Sequence, residues 1–161
     1  MKIIIIAPGA SGKDYLRKKL EQKGQIYSLS STSRPMREGE VEGKDYNFIT
    51  REEFEKRISE GFFLEWREYV IDHNTKWYYG TPISELERAD VFIITPDVLE
   101  KWDEETLNKF FIIYLNPSED VRRTRLSQRN DADSVERRIE SDRELFSRFN
   151  RYDLIIKNED F

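Results

Sequence analysis

Four consecutive isoleucines, Ile3 to Ile6, run straight into Ala7-Pro8-Gly9-Ala10-Ser11-Gly12-Lys13-Asp14. An apolar β-branched run of this length reads as a buried strand, Lys2 to Ala7, followed by a turn and a helix from Gly12 to about Lys23. Strand, small-residue turn and helix in this order are the context of a phosphate-binding P-loop. Small side chains let successive backbone N–H groups turn inward, and the helix N-terminus adds partial positive charge. Lys13 is placed to bridge the β- and γ-phosphates of ATP. Pro8, Gly9, Ala10, Ser11, Gly12, Lys13 and Asp14 are therefore candidate ATP-binding residues, with Lys13 also catalytic. The competing reading is a strand-to-helix turn rich in small residues by chance. Two positions depart from the usual pattern, Ala7 for the first glycine and Asp14 for a Ser/Thr that ligates Mg²⁺. Alanine is acceptable in β geometry. A carboxylate can also ligate Mg²⁺, although its charge opposes the phosphates, so Asp14 is the candidate metal ligand.

Past Gly24 a second strand is expected at Gln25 to Ser30, completing a βαβ opening. From residue 31 to 81 the texture changes to turn signals at Arg34-Pro35, Gly39 and Gly43, short aromatic strands at Tyr46 to Ile49, Phe62 to Val70 and Trp77 to Gly80, and a helix from Arg51 to Glu60. The α/β pattern then resumes with a strand at Val91 to Thr95, a polar helical stretch and a strand at Phe110 to Leu115. Pro117, Ser118 and Glu119 open an arginine-rich helix. Val135, Ile139, Phe146 and Phe149 share one face of a helix over Ser134 to Phe149, and Leu154 to Ile156 forms a last strand. Such alternation predicts an α/β fold with a doubly wound parallel sheet. At 161 residues the chain suits one domain. Residues 31–81 are then a small mixed α/β lobe inserted into a core of 1–30 and 82–161.

The chain has no cysteine, which excludes disulfides and thiolate metal sites and points to a reducing compartment, the cytoplasm. A net charge of −5 argues against bulk attraction to nucleic acid or anionic lipid, and no apolar run approaches the length of a membrane span. The expected partners are small molecules.

Ser30-Ser31-Thr32-Ser33-Arg34-Pro35-Met36-Arg37-Glu38-Gly39-Glu40, Gly43-Lys44-Asp45-Tyr46-Asn47-Phe48, Glu65-Trp66 and Tyr78-Tyr79-Gly80-Thr81-Pro82 strongly resemble guanylate kinases. The resemblance runs in order from about Ile3 to Asp160. It implies a P-loop NTPase-type fold with a nucleotide-binding lobe and an arginine-rich lid, and transfer of the γ-phosphoryl group of ATP to GMP or dGMP with Mg²⁺. Arg34 and Arg37, with the hydroxyls of Tyr46 and Tyr79, can clamp the acceptor phosphate. Glu65 can accept from guanine N1–H and the exocyclic amine, while Ser30 and Thr81 donate to O6. That pairing disfavours adenine. Taken singly, arginines three apart are usually solvated and paired tyrosines usually core. Glu65, set among Phe62, Phe63, Leu64 and Trp66, is the better anomaly, because a carboxylate there needs a partner or solvent.

Arginines 122, 123, 125, 129, 137 and 138 crowd around Asn130 to Asp133. Some belong to a solvated face paired with Glu119, Asp120, Asp133 and Glu136. By resemblance, Arg125 lies near the adenine and phosphates of ATP, Arg129 and Arg138 contact the transferring phosphoryl group, and residues from about 125 to 138 form the lid. Asn158, in the terminal Asn158-Glu159-Asp160, is a further ATP-binding candidate.

The sequence also departs from the family. Arg67 to Trp77 holds roughly five more residues than the family pattern, including the sole histidine, His73, read as surface loop. The lid is about two residues shorter. Thr95-Pro96-Asp97 retains one acid, Asp97, a candidate substrate-binding residue, where the family has two. The terminal helix of the family does not follow the last strand. Two alternatives stand beside the kinase: a non-catalytic phosphopeptide-binding module built on the same clamp, and a kinase for another deoxynucleotide or a ribose phosphate, as Gly12-Lys13-Asp14 suggests. Retention of Lys13, Arg125, Arg129 and Arg138 argues against the first; the Ser30, Glu65 and Thr81 set argues against the second.

Overall fold

The computed structural model of the protein describes residues 1–129 and 133–158. The chain divides into two compact units, Met1–Tyr27 with Ala89–Phe161, and Ser28–Arg88. The second unit is wider at both ends than the 31–81 lobe expected from the sequence.

In the first unit β1 (Lys2–Ile6) leads to α1 (Lys13–Gln22). The second unit contains β2 (Ser31–Thr32), β3 (Asn47–Phe48), α2 (Arg51–Ser59), β4 (Phe63–Val70), β5 (Lys76–Pro82) and α3 (Glu85–Arg88). The first unit resumes with β6 (Val91–Ile93), α4 (Pro96–Leu99), α5 (Glu104–Leu107) and β7 (Phe110–Leu115), then α6 (Glu119–Ser127), α7 (Val135–Phe146) and β8 (Leu154–Ile156).

The core sheet has the order β6-β1-β7-β8 and every pairing in it is parallel. Ile4, Ile5 and Ile6 are fully buried, as a strand covered on both faces demands. Ile5, Val91, Ile113 and Leu115 form the centre of this core, with Leu16 and Leu20 of α1 packed against them. On β7, next to the edge strand β8, Tyr114 stacks on Phe146 and meets Phe149 edge-on, which explains the apolar end of the last helical stripe.

Three sequence expectations need correction. Gln25 to Ser30 is not a strand, and within it only Tyr27 bridges to Val91. The N–H groups of Ile26 and Leu29 are taken instead by the carboxylates of Asp90 and Glu85, so no ladder forms. The polar stretch before β7 breaks into two single-turn helices, the second capped by Asp103. Helix α7 ends at Phe146, leaving Phe149 in the following turn.

The second unit has a mixed sheet of order β3-β2-β5-β4, in which β2 and β3 run parallel and the other neighbours antiparallel. Asp72 closes the tip of the β4–β5 hairpin by accepting from the N–H groups of Asn74 and Thr75. His73 lies exposed at that tip.

Candidate active site

Cross-strand register decides which side chains of the second unit share a face. Glu65 pairs with Thr81, Arg67 with Tyr79 and Tyr69 with Trp77, while Trp66, Glu68 and Val70 pair with Gly80, Tyr78 and Lys76. Paired residues point to one side of a sheet and successive residues to opposite sides. The second set lies on the α2 side, where Phe54 stacks on Phe63 at 4.4 Å and on Tyr78 at 5.2 Å. There the Tyr78 hydroxyl donates to Glu55 and Glu68, and burial together with these carboxylates pushes its pKa up to about 12. Tyr78 therefore serves the lobe's interior, and its neighbour Tyr79 the other face.

On that other face the expected base readers meet. Thr81 Oγ1 donates to Glu65 Oε1 at 2.6 Å and lies 3.1 Å from Ser30 Oγ. Such a set can take two N–H donors at the carboxylate and offer a hydroxyl proton to a carbonyl.

Of the four residues expected to hold the acceptor phosphate, Arg34, Tyr46 and Tyr79 meet around an acid that sequence reasoning passed over, and Arg37 joins them through its backbone N–H. Arg34 holds Glu40 through Nη1 at 2.9 Å and Nη2 at 2.8 Å, and its Nε donates to the Tyr79 hydroxyl at 3.1 Å. Tyr46 lies 5.4 Å from the guanidinium and meets Tyr79 edge-on. Burial opposes the Arg34 charge, but the Glu40 hydrogen bond and nearby negative charge hold its pKa above the ordinary arginine value. Burial likewise pushes the Glu40 carboxyl up, and Arg34 with the Arg37 backbone N–H, 2.7 Å away, overcomes this and leaves it below the usual range. The available signal was the acid three residues past the second arginine, since a buried guanidinium requires an anion.

In the first unit the glycine loop follows β1 and Lys13 opens α1, with Asp14 exposed beside it. Gly12 has φ 96° and Ala10 φ 60°. A left-handed alanine costs roughly 1 kcal/mol. Its methyl is buried against Leu126 and Ile139, which offsets about 0.8 kcal/mol of that. Arg125 Nη1 donates to the Ala10 carbonyl at 3.1 Å, so the structure does bring this arginine to the loop. Asp142 of α7, also missed in the sequence, accepts from the Gly9 N–H at 2.9 Å and from buried Arg122 at 2.8 Å.

The remaining candidates are more dispersed. Arg138 donates to Asp133 at 2.7 Å, and Arg137 grips the same carboxylate with two nitrogens. Burial pushes the Asp133 pKa up, but these hydrogen bonds leave it lowered. Arg129 is exposed just past α6, and Asn158 is exposed just past β8. Asp97 sits in the first turn of α4. Asn130 in the lid and Glu159 and Asp160 of the terminal motif lie outside the described residues.

Comparison with known proteins finds relatives along nearly the whole chain. The family model described as guanylate kinase matches residues 1–161. Guanylate kinase of Sulfurimonas denitrificans is 32% identical over 168 residues, covering 98% of this chain and 79% of the relative. That of Caldanaerobacter subterraneus subsp. tengcongensis is 34% identical over 168 residues, with the same 98% and 79% coverage. The crystal structure of guanylate kinase from Anaplasma phagocytophilum is similar with a TM-score of 0.70 at 26% identity, over 99% of this chain and 77% of that one. A match along the whole sequence, supported by relatives about a third identical, means that the chain belongs to the guanylate kinase family.

Proposed function

We propose that the protein is an active guanylate kinase, converting ATP and GMP or dGMP into ADP and the corresponding diphosphate. One observation carries this reading: Glu65, Thr81 and Ser30 form a hydrogen-bonded set on the face that also presents Tyr79 and Arg34. Guanine offers N1–H and an exocyclic amine to Glu65 and its O6 to the hydroxyls. Adenine would set its N1 against the carboxylate and its amine against the donors, leaving buried polar groups unpaired.

The roles follow from the chemistry. Arg34, Arg37, Tyr46 and Tyr79 hold the acceptor phosphate, and Asp97 is a further substrate contact. The loop from Pro8 to Asp14, with Arg125 and Asn158, holds ATP. Lys13, Arg129 and Arg138 stabilise charge on the transferring group, because phosphoryl transfer asks the protein for positioning and electrostatics more than for covalent chemistry. Mg²⁺ bound with ATP would neutralise β- and γ-phosphate oxygens. Asp14 is exposed beside Lys13, and the Thr95 hydroxyl beyond β6 is buried without a hydrogen-bond partner among the described residues. Both are hard oxygen donors of the kind Mg²⁺ takes, and this ion commonly keeps water and phosphate as its other ligands. Among the described residues no helix is long and apolar enough to cross a membrane. We place the enzyme in the cytoplasm on its lack of cysteine and its nucleotide chemistry.

A coupled ADP-release assay across the nucleoside monophosphates tests the reading. Turnover is expected with GMP and dGMP and not with AMP or dTMP. It should be abolished by Lys13→Ala or Arg129→Ala, while Glu65→Gln mainly relaxes base choice. No turnover with either guanine nucleotide would overturn the proposal in favour of a binding module.

A further inference from the structure

We propose that Arg67, a residue outside the expected site set, is a third cation for the acceptor's phosphate. The proposal rests on the guanylate kinase reading and names a specificity-determining contact within it.

Its position follows from register. Arg67 pairs with Tyr79, two residues along β4 from Glu65, so it shares the face that carries Glu65 and Thr81. Its guanidinium lies 5.1 Å from the Tyr69 ring, and that ring meets Tyr79 edge-on at 5.5 Å. Tyr79 in turn accepts from Arg34 Nε. From Glu65 to Arg67 the strand advances about 7 Å toward Tyr79, the same direction that leads from a nucleotide's base to its phosphate.

Charge balance gives that cation something to do. A phosphate monoester carries close to two negative charges at neutral pH. The Arg34 charge is already matched by Glu40, in a pair buried on the arginine side. Arg37 supplies one further positive charge, and Glu65 adds a negative one to the same face. Arg67 brings one more positive charge to that face and narrows the deficit. The other cation of the hairpin, Lys76, pairs with Val70 on the opposite face and bonds Glu68. Contact with Tyr69 also fits arginine better than lysine, since a planar guanidinium stacks on a ring and keeps its donors in plane for phosphate oxygens.

The test compares a nucleotide with its nucleoside. Binding of GMP and of guanosine to the full chain is measured by calorimetry for wild type, Arg67→Ala and Arg67→Lys, together with KM for GMP and ATP. Arg67→Ala should weaken GMP about tenfold or more, as loss of a hydrogen bond to a charged group does, and leave guanosine affinity and KM for ATP unchanged. Lysine should recover part of the loss. Equal weakening of guanosine and GMP would overturn the proposal, because Arg67 would then act through the base or the fold; so would unchanged GMP affinity. Arg67→Gln repeats the measurement should alanine fail to fold. A wild type that neither binds nor phosphorylates GMP overturns the guanylate kinase reading as well, whereas an active wild type with an indifferent Arg67→Ala overturns the role of Arg67 alone.

Discussion

Glu40 grips Arg34 with both carboxylate oxygens, where the arginine side chain is 2% exposed and the glutamate side chain 18%. Removing one partner of a buried pair strands the other charge, at a cost of about 3–5 kcal/mol. Glu40 is partly open to water, which places Glu40→Ala at the lower end, about 3 kcal/mol. Urea denaturation should register that loss, and KM for GMP should rise more than KM for ATP, because Arg34 loses the anchor that aims it. Unchanged stability and KM would mean that Tyr79 and the Pro35 carbonyl suffice to hold Arg34.

The same pair sets a pH dependence. Glu40 has a folded pKa below its unfolded value, as the Arg34 and Arg37 bonds outweigh burial. A depressed carboxylate contributes stability that is present above the unfolded pKa and lost as pH falls through the folded one. Wild type should therefore lose stability over its Glu40→Gln variant's slope as pH drops below the ordinary glutamate range. Thermal midpoints of both proteins between about pH 6 and 3 check this. Parallel curves would remove Glu40 from the acid response.

Asp142 joins α7 to the glycine loop and to Arg122 at once. Alanine there leaves a loop N–H without its acceptor and a buried guanidinium without its counter-ion. Asp142→Ala should cost about 3 kcal/mol and raise KM for ATP severalfold. Asp142→Asn keeps an oxygen for the Gly9 N–H but loses the charge. It should lower the thermal midpoint while leaving KM for ATP near wild type. Equal KM values in both variants would assign Asp142 to stability alone.

The core sheet is legible because Ile3 to Ile6 and Phe110 to Leu115 are apolar runs that burial on both faces explains, and Leu154 to Ile156, exposed at Leu154, is short enough to read as the edge strand beside them. Gln25 to Ser30 misleads for a physical reason: its strand-like pattern says nothing of Glu85 and Asp90, distant acids that take its N–H groups. Glu65 stands out among its apolar neighbours before any fold is known, whereas Ser30 and Thr81 gain meaning only from the hydrogen bonds that join them to it. Glu40 and Asp142 cannot be found that way. With 32 acidic residues in the chain, a carboxylate on a polar stretch carries no signal until folding brings an arginine against it. Ala10 hides similarly, since nothing in a small residue announces a φ of 60°.

Gly80 offers the sharpest separation of packing from recognition. A Cβ at this position would lie 3.0 Å from Glu65 O, Phe54 Cζ and Phe63 Cδ1. None of these can retreat freely: the first is backbone, and the two rings are stacked on each other at 4.4 Å. Relief must come from β4 moving away from β5, which draws the Glu65 carboxylate off Thr81. Gly80→Ala should accordingly cost about 1–3 kcal/mol as overpacking does, and also raise KM for GMP with KM for ATP unaffected. Gly61→Ala is the control, because it meets nothing within 4 Å and has φ 67°, so it bears left-handed strain alone. It should lose about 1 kcal/mol and keep both KM values. If Gly80→Ala lost stability and retained its KM for GMP, the Glu65 carboxylate would not depend on the spacing of these two strands, and base recognition would have to be sought elsewhere on the lobe.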